Sequence, residues 1–201
     1  MTVNHRKTRH MNKRNFIATG ASLAAVALLA AGCTTTGGAS GDPAAQRQAI
    51  DAAADSALSR LYAQAAGSRE LVASSRGMLV FPNFVSAGFV VGGASGQGVM
   101  RKGGKSTTYH RMTEGSVGFL AGAQSQAVFI LFMTDDALKR FEASTGWTAG
   151  VDGSVTLLTV GADARVTTLT GQQPIIGFVL TNSGLMASAS LNGSRITPLG
   201  I

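Results

Sequence analysis

The chain has a single cysteine, Cys33, among 201 residues. That excludes a disulfide-stapled fold and any zinc site built on cysteines. It has three histidines, and two of them, His5 and His10, lie in the first ten residues. Only His110 is left for base catalysis, and its run Thr108-Tyr109-His110-Arg111 reads as an exposed strand position. No G-x-S-x-G elbow is present. The acids form no alternating loop; Asp135-Asp136 is the densest pair, so no dedicated metal cage is expected. Charged residues make up only 13% of the chain. Beyond Cys33 the longest apolar run is Ala127–Met133, far too short to cross a bilayer. Two phosphate-loop lookalikes also fail. Gly104-Lys105-Ser106 has Val99 where the motif needs glycine, and a strand follows instead of a helix. Gly96-Gln97-Gly98 runs on to Arg101, where a dinucleotide fingerprint needs glycine. The expectation is a protein without enzyme activity, cofactor or metal.

A net charge of +7 suggests nucleic acid until its distribution is read. Arg6, Lys7, Arg9, Lys13 and Arg14 all precede Phe16, and every acid follows Cys33. The remaining 12 basic residues face 10 acids, so nucleic acid is not an expected partner.

Those five cations open a targeting segment. A basic stretch to Arg14 precedes an apolar one from Phe16 to Ala31, broken by Thr19, Gly20 and Ser22. It ends in Leu28-Leu29-Ala30-Ala31-Gly32-Cys33, which is similar to a bacterial lipobox. Residues 1–32 are therefore read as a lipoprotein-type signal peptide, and Cys33 as the lipidation site. The lipobox resemblance implies two or more acyl chains on Cys33, enough for stable anchoring. Lys13-Arg14-Asn15-Phe16-Ile17 also resembles a twin-arginine export motif, and Met11 is an alternative start. Thr34 follows the cysteine where Asp marks inner-membrane retention, so the expected location is the outer membrane, facing the periplasm. Residues 33–41, rich in Thr, Gly, Ala and Ser, read as a flexible tether.

From residue 42 the pattern is that of one domain. Asp42-Pro43 starts a helix with Ile50, Ala54, Ala57, Leu58, Leu61 and Ala65 on one face. Arg47, Asp51, Asp55 and Arg60 line the other, a nearly neutral surface. Gly67 ends it, and Ser68 caps a short second helix to Arg76. Strands are expected at Met78–Phe81 (stopped by Pro82), Thr107–Met112, Ser116–Gln124, Ala127–Met133, Ser154–Val160, Ala164–Leu169, Ile175–Thr181, Leu185–Leu191 and Arg195–Leu199. Thr134-Asp135-Asp136 caps a further helix with Ala137, Leu138 and Phe141 inward. The fold class is α+β: N-terminal helices and one further helix on a twisted, mainly antiparallel sheet, open or barrel-like. Gly88, Gly92, Gly93, Gly96 and Gly98 read as structural glycines in a tightly packed small-residue core. Arg101-Lys102-Gly103-Gly104-Lys105-Ser106 reads as a basic turn between two strands.

Several blocks carry a family pattern: Gly77, Leu79-Val80-Phe81-Pro82, Ala87-Gly88-Phe89, Gly92-Gly93 and Gly96-Gln97-Gly98-Val99. Echoes follow at Ser116-Val117-Gly118, Gly122-Ala123-Gln124, Ala137-Leu138 with Phe141, and Gly184-Leu185-Met186-Ala187 with Leu191 and Gly193. From about Leu58 to Ile196 the chain resembles the SYLF domain, also called the Ysc84 actin-binding domain. The resemblance implies that residues 42–201 are a SYLF-like domain that binds membrane lipid without catalysis. Actin, bound by some eukaryotic members, is not expected here. Arg101, Lys102 and Lys105, joined by Arg111, are the candidate headgroup contacts for an anionic phospholipid. The alternative is a structural or partner-docking envelope lipoprotein with no lipid affinity of its own.

Overall fold

The computed structural model describes residues 42–88, 91–117, 122–158, 173–181, 184–185 and 190–201. The expected signal peptide, Cys33, the expected tether and the strand expected at Ala164–Leu169 lie outside them. Asp42–Ile201 is a compact unit by itself. Among the described residues no helix is long and apolar enough to cross a membrane.

Helix α1 (Pro43–Gln64) begins where expected, with the Asp42 carboxylate accepting from the Ala44 amide at 3.0 Å. It buries Ile50, Ala54, Ala57, Leu58 and Leu61, spaced at three, four and seven residues. Helix α2 (Ser68–Ser74) follows at once. Its cap is Gly67, in the left-handed region at φ 82°, and not Ser68. Ser68 is instead buried in the first turn, its hydroxyl donating to the Leu61 carbonyl.

Strands β1 (Gly77–Gly88), β2 (Val91–Lys102), β3 (Lys105–Val117) and β4 (Gly122–Phe132) form the long part of the sheet. Helix α3 (Asp135–Glu142) and strands β5 (Trp147–Thr148), β6 (Thr156–Leu157), β7 (Ile175–Thr181), β8 (Gly184–Leu185) and β9 (Arg195–Pro198) complete it. The order across the sheet is β5-β9-β3-β2-β1-β4-β7-β6, with β8 on β7. All named pairs are antiparallel except β6 with β7. The fold is α+β, and the mixed sheet curls strongly into a half-barrel.

Pro82 does not stop β1. Between Val80 and Val85 the strand carries one residue more than β2, and between Phe81 and Phe84 one more than β4. Proline lacks a ladder donor, and a bulge is where a central strand tolerates it. The extra residue also changes the phase of the side chains, so Phe81 and Phe84 both face the same core. The strand expected at Ser116–Gln124 is likewise divided. Ser116-Val117 ends β3, and Gly122 begins the strand that continues through the apolar run. Trp147 opens a strand, β5, that the sequence pattern had left unassigned, because two residues show no period.

Alternation across the sheet makes two cores. On one face Met78, Val80, Val99, Phe129, Leu131, Ile176, Phe178 and Leu180 meet the apolar stripe of α1. On the other Leu79, Phe81, Phe84, Met100, Met112, Val128, Ile130 and Phe132 meet Leu138 and Phe141 of α3 and Trp147. Residues 127–132 of β4 are fully enclosed, as expected of a run with no polar alternate. Burial of each large side chain contributes about 1.5–3 kcal/mol.

Candidate functional site

The β2–β3 hairpin turns on two residues, Gly103 (φ 56°) and Gly104 (φ 78°). Two successive left-handed residues match the strand twist, and glycine adopts them without strain. Lys102 and Lys105 pair across the turn. Strand alternation then separates the expected cations. Arg101 points to the helix side, its side chain only 11% exposed, with Nη1 donating to Asp55 Oδ1 at 2.5 Å and Nη2 to the Asp51 carbonyl at 3.2 Å. Lys102 points to the opposite face and meets Glu142 of α3 at 2.6 Å. Lys105 is exposed at the tip. Arg111 is exposed opposite Gln97 and Thr197, six positions and therefore roughly 20 Å from Lys105 along the strand. The four cations do not form one cluster.

The polar side of α1 is correspondingly busier than a solvated face. Asp51 accepts from the Tyr109 hydroxyl at 2.9 Å and from the Ser106 hydroxyl at 2.8 Å. Burial, then the bond and charge of Asp51, raise the Tyr109 phenol above its ordinary value. Asp51 and Asp55 are one helical turn apart, and Arg101 bridges both. That spacing and the hairpin itself were visible in the sequence; the packing of one on the other was not.

Between α1, α2 and the start of β1 lies an open cleft of about 550 Å³, closed at one end by this hairpin. Leu58, Tyr62, Val72 and Met78 give it apolar walls, and Arg69, Arg101 and Asp55 bring charge to its rim. The Arg69 guanidinium lies 4.3 Å from the centre of the Tyr62 ring, a cation–π contact that holds it over the opening. The volume falls in the range of about 300–1,000 Å³ usual for small-molecule sites.

His110 is not a surface residue. Its position on β3 turns it inward with Met112, 7% exposed, its ring centre 5.2 Å from that of Phe141. Nε2 lies 2.8 Å from the Thr108 hydroxyl, and the buried Nδ1 has no partner among the described residues. Burial lowers the ring's pKa to about 4. With no acid bonded to it among the described residues, and with its pKa lowered, it is a weak base at neutral pH.

The glycines divide by what surrounds them. A Cβ on Gly98 would strike the Val80 carbonyl and the Phe81 ring, and one on Gly96 would lie 2.8 Å from the Asn83 carbonyl. Both face the bulge of β1, where the two backbones come close. Gly93 meets nothing nearer than 3.5 Å, and Gly88 and Gly92 pair at the far end of the hairpin.

A family model, Ysc84, described as Las17-binding protein actin regulator, matches part of this architecture. Residues 113–199 carry the match. Ysc84 is a family of binding domains. The matched part takes in the end of β3, then β4, α3 and the strands from β5 to β9. Both arginines of the cleft, α1, α2 and the stretch from Gly77 to Val99 precede it. No curated protein matches the chain.

Proposed function

We propose that this chain is an acyl-anchored lipoprotein of the bacterial cell envelope whose folded unit, Asp42–Ile201, binds anionic lipid and performs no catalysis. The observation that carries this is the cleft: apolar walls beneath two guanidinium groups suit a ligand that joins an anion to a hydrocarbon part. Lys105 at the adjoining hairpin tip adds attraction of about 1 kcal/mol toward an anionic surface. The Ysc84 match supports a binding role, the lipobox-like run ending at Cys33 supports acyl anchoring, and Thr34 after it supports the outer membrane. Because the description of the Ysc84 family names a protein partner, docking to another envelope protein is the second reading.

Liposome flotation separates the two. Residues 42–201, lacking the lipidation site, should float with phosphatidylglycerol-containing vesicles at low salt and stay behind with phosphatidylcholine alone. Absence from both fractions leaves protein docking. In cells, Cys33→Ser should abolish palmitate labelling and release the protein from membranes; equal retention of both forms rules out the anchor.

A further inference from the structure

We infer that Asp55 occupies, in the unliganded protein, the place of the ligand's anionic group on Arg101. This rests on the lipid-binding reading and adds how the site is held and opened. The geometry is asymmetric in a way that an ordinary stabilising ion pair is not. Arg101 is fixed: its side chain is 11% exposed, and Nη2 is tied to the Asp51 backbone. Asp55 is loose: its side chain is 68% exposed on the outer surface of α1, and no contact besides Arg101 engages its carboxylate among the described residues. Both line the same cleft. Removing Asp55 from Arg101 requires one side-chain rotation toward water and no movement of the backbone.

The guanidinium is also incompletely satisfied. Asp55 takes only Nη1, and the buried Nε finds no acceptor among the described residues. A buried donor without a partner is unfavourable. A phosphate presents more acceptor oxygens than the single one Asp55 uses, and arginine's planar fork suits it. An anion arriving over the apolar walls therefore replaces a monodentate partner with a fuller one, while Arg69 at the rim lies within the same opening. The ligand class is an amphiphile bearing one anionic group, its phosphate on Arg101 and its hydrocarbon part over Leu58, Tyr62, Val72 and Met78. The carboxylate also sets a threshold. A zwitterionic headgroup carries its phosphate beside its own cation and so competes less well for Arg101 than a headgroup of net negative charge, and inorganic phosphate lacks the apolar contacts that favour displacement.

The test measures vesicle binding of residues 42–201, a compact unit by themselves, with phosphatidylcholine vesicles containing or lacking phosphatidylglycerol. The proteins are wild type, Asp55→Asn, Arg101→Gln, the double variant, and Glu70→Gln. Glu70 is an exposed acid of α2 outside the cleft. Removing any acid near an anionic surface gains up to about fivefold. Asp55→Asn should exceed Glu70→Gln clearly, and its gain should vanish when Arg101 is also replaced. Excess inorganic phosphate should compete poorly against wild-type binding. Equal gains for the two acid variants, or a gain that survives in the double variant, overturns the stand-in role while leaving lipid binding intact. If wild type and Asp55→Asn both ignore anionic vesicles, the lipid reading fails and this inference with it. Melting curves of the variants separate lost binding from lost fold, and the comparison of Asp55→Asn with Glu70→Gln decides even if Arg101→Gln proves unstable.

Discussion

Tyr109 and Asp51 stand 58 residues apart in the chain and meet through a 2.9 Å hydrogen bond from the phenol to Oδ2. It is one of the bonds that fix α1 on the hairpin as well as on the apolar face of the sheet. Tyr109→Phe keeps the ring and removes the donor, so it should cost about 1–2 kcal/mol, measured by urea unfolding. The raised phenol pKa has a matching consequence. Stability from this group is fully present below the ordinary tyrosine value of about 10 and is lost as pH rises through the higher folded value. The variant should lack that alkaline decline. Identical alkaline curves for both proteins would show that the bond does not matter.

Gly98 and Gly93 are both glycines of β2, yet substitution should separate them. At Gly98 a methyl group collides with backbone and with the Phe81 ring across the bulge, whereas at Gly93 it meets ordinary contact distances. Gly98→Ala should cost about 1–3 kcal/mol by overpacking. Gly93→Ala should fall within about 0.5 kcal/mol, as for an open surface position. The measurement is the melting temperature of each variant, and similar values for both would contradict a close approach at the bulge.

His110 predicts an acid limit. Its folded pKa of about 4 lies below the ordinary value near 6.5. The folded state therefore binds fewer protons than the unfolded one in that window. The contribution is present above pH 6.5 and is lost as pH falls toward 4, reaching roughly 3 kcal/mol. His110→Leu should flatten the stability curve between those pH values without requiring any change above pH 7. If the variant declines with acid as steeply as wild type, other groups set the limit.

How far these features were legible depends on whether the signal was local. The start of α1 was readable because Asp42-Pro43 and the Ile50–Leu61 stripe sit next to one another in sequence. β7 was found over Ile175–Thr181 for the same reason. The passage of β1 through Pro82 was not readable. A bulge depends on the two neighbouring strands, and local rules treat proline as a terminator. His110 was placed outside because its flanks are polar, but a strand residue's neighbours point the other way. The cleft was hidden for a related reason. Asp51, Asp55 and Arg101 were each noticed, yet only the folding of a hairpin onto a helix some 50 residues earlier in the chain makes them one site.

That separation of charges gives the last prediction. Arg101 and Lys105 belong to one basic turn in sequence, but only Arg101 is held under α1. Arg101→Ala removes two charge-assisted bonds, one to Asp55 and one to the Asp51 backbone, and should cost about 2–3 kcal/mol. For a domain of this size that is a melting shift of several degrees, about 2–4 °C for each kcal/mol. Lys102→Ala breaks a half-exposed pair with Glu142, worth about 0–1 kcal/mol. Lys105→Ala should leave stability within about 0.5 kcal/mol yet reduce vesicle binding at low salt, where its charge is least screened. Stability and binding should therefore rank the three cations differently. Arg101 leads in melting temperature, and Lys105 affects flotation alone. If all three substitutions lower the melting temperature equally, the alternation that sends Arg101 inward and Lys102 to the other face does not operate in solution.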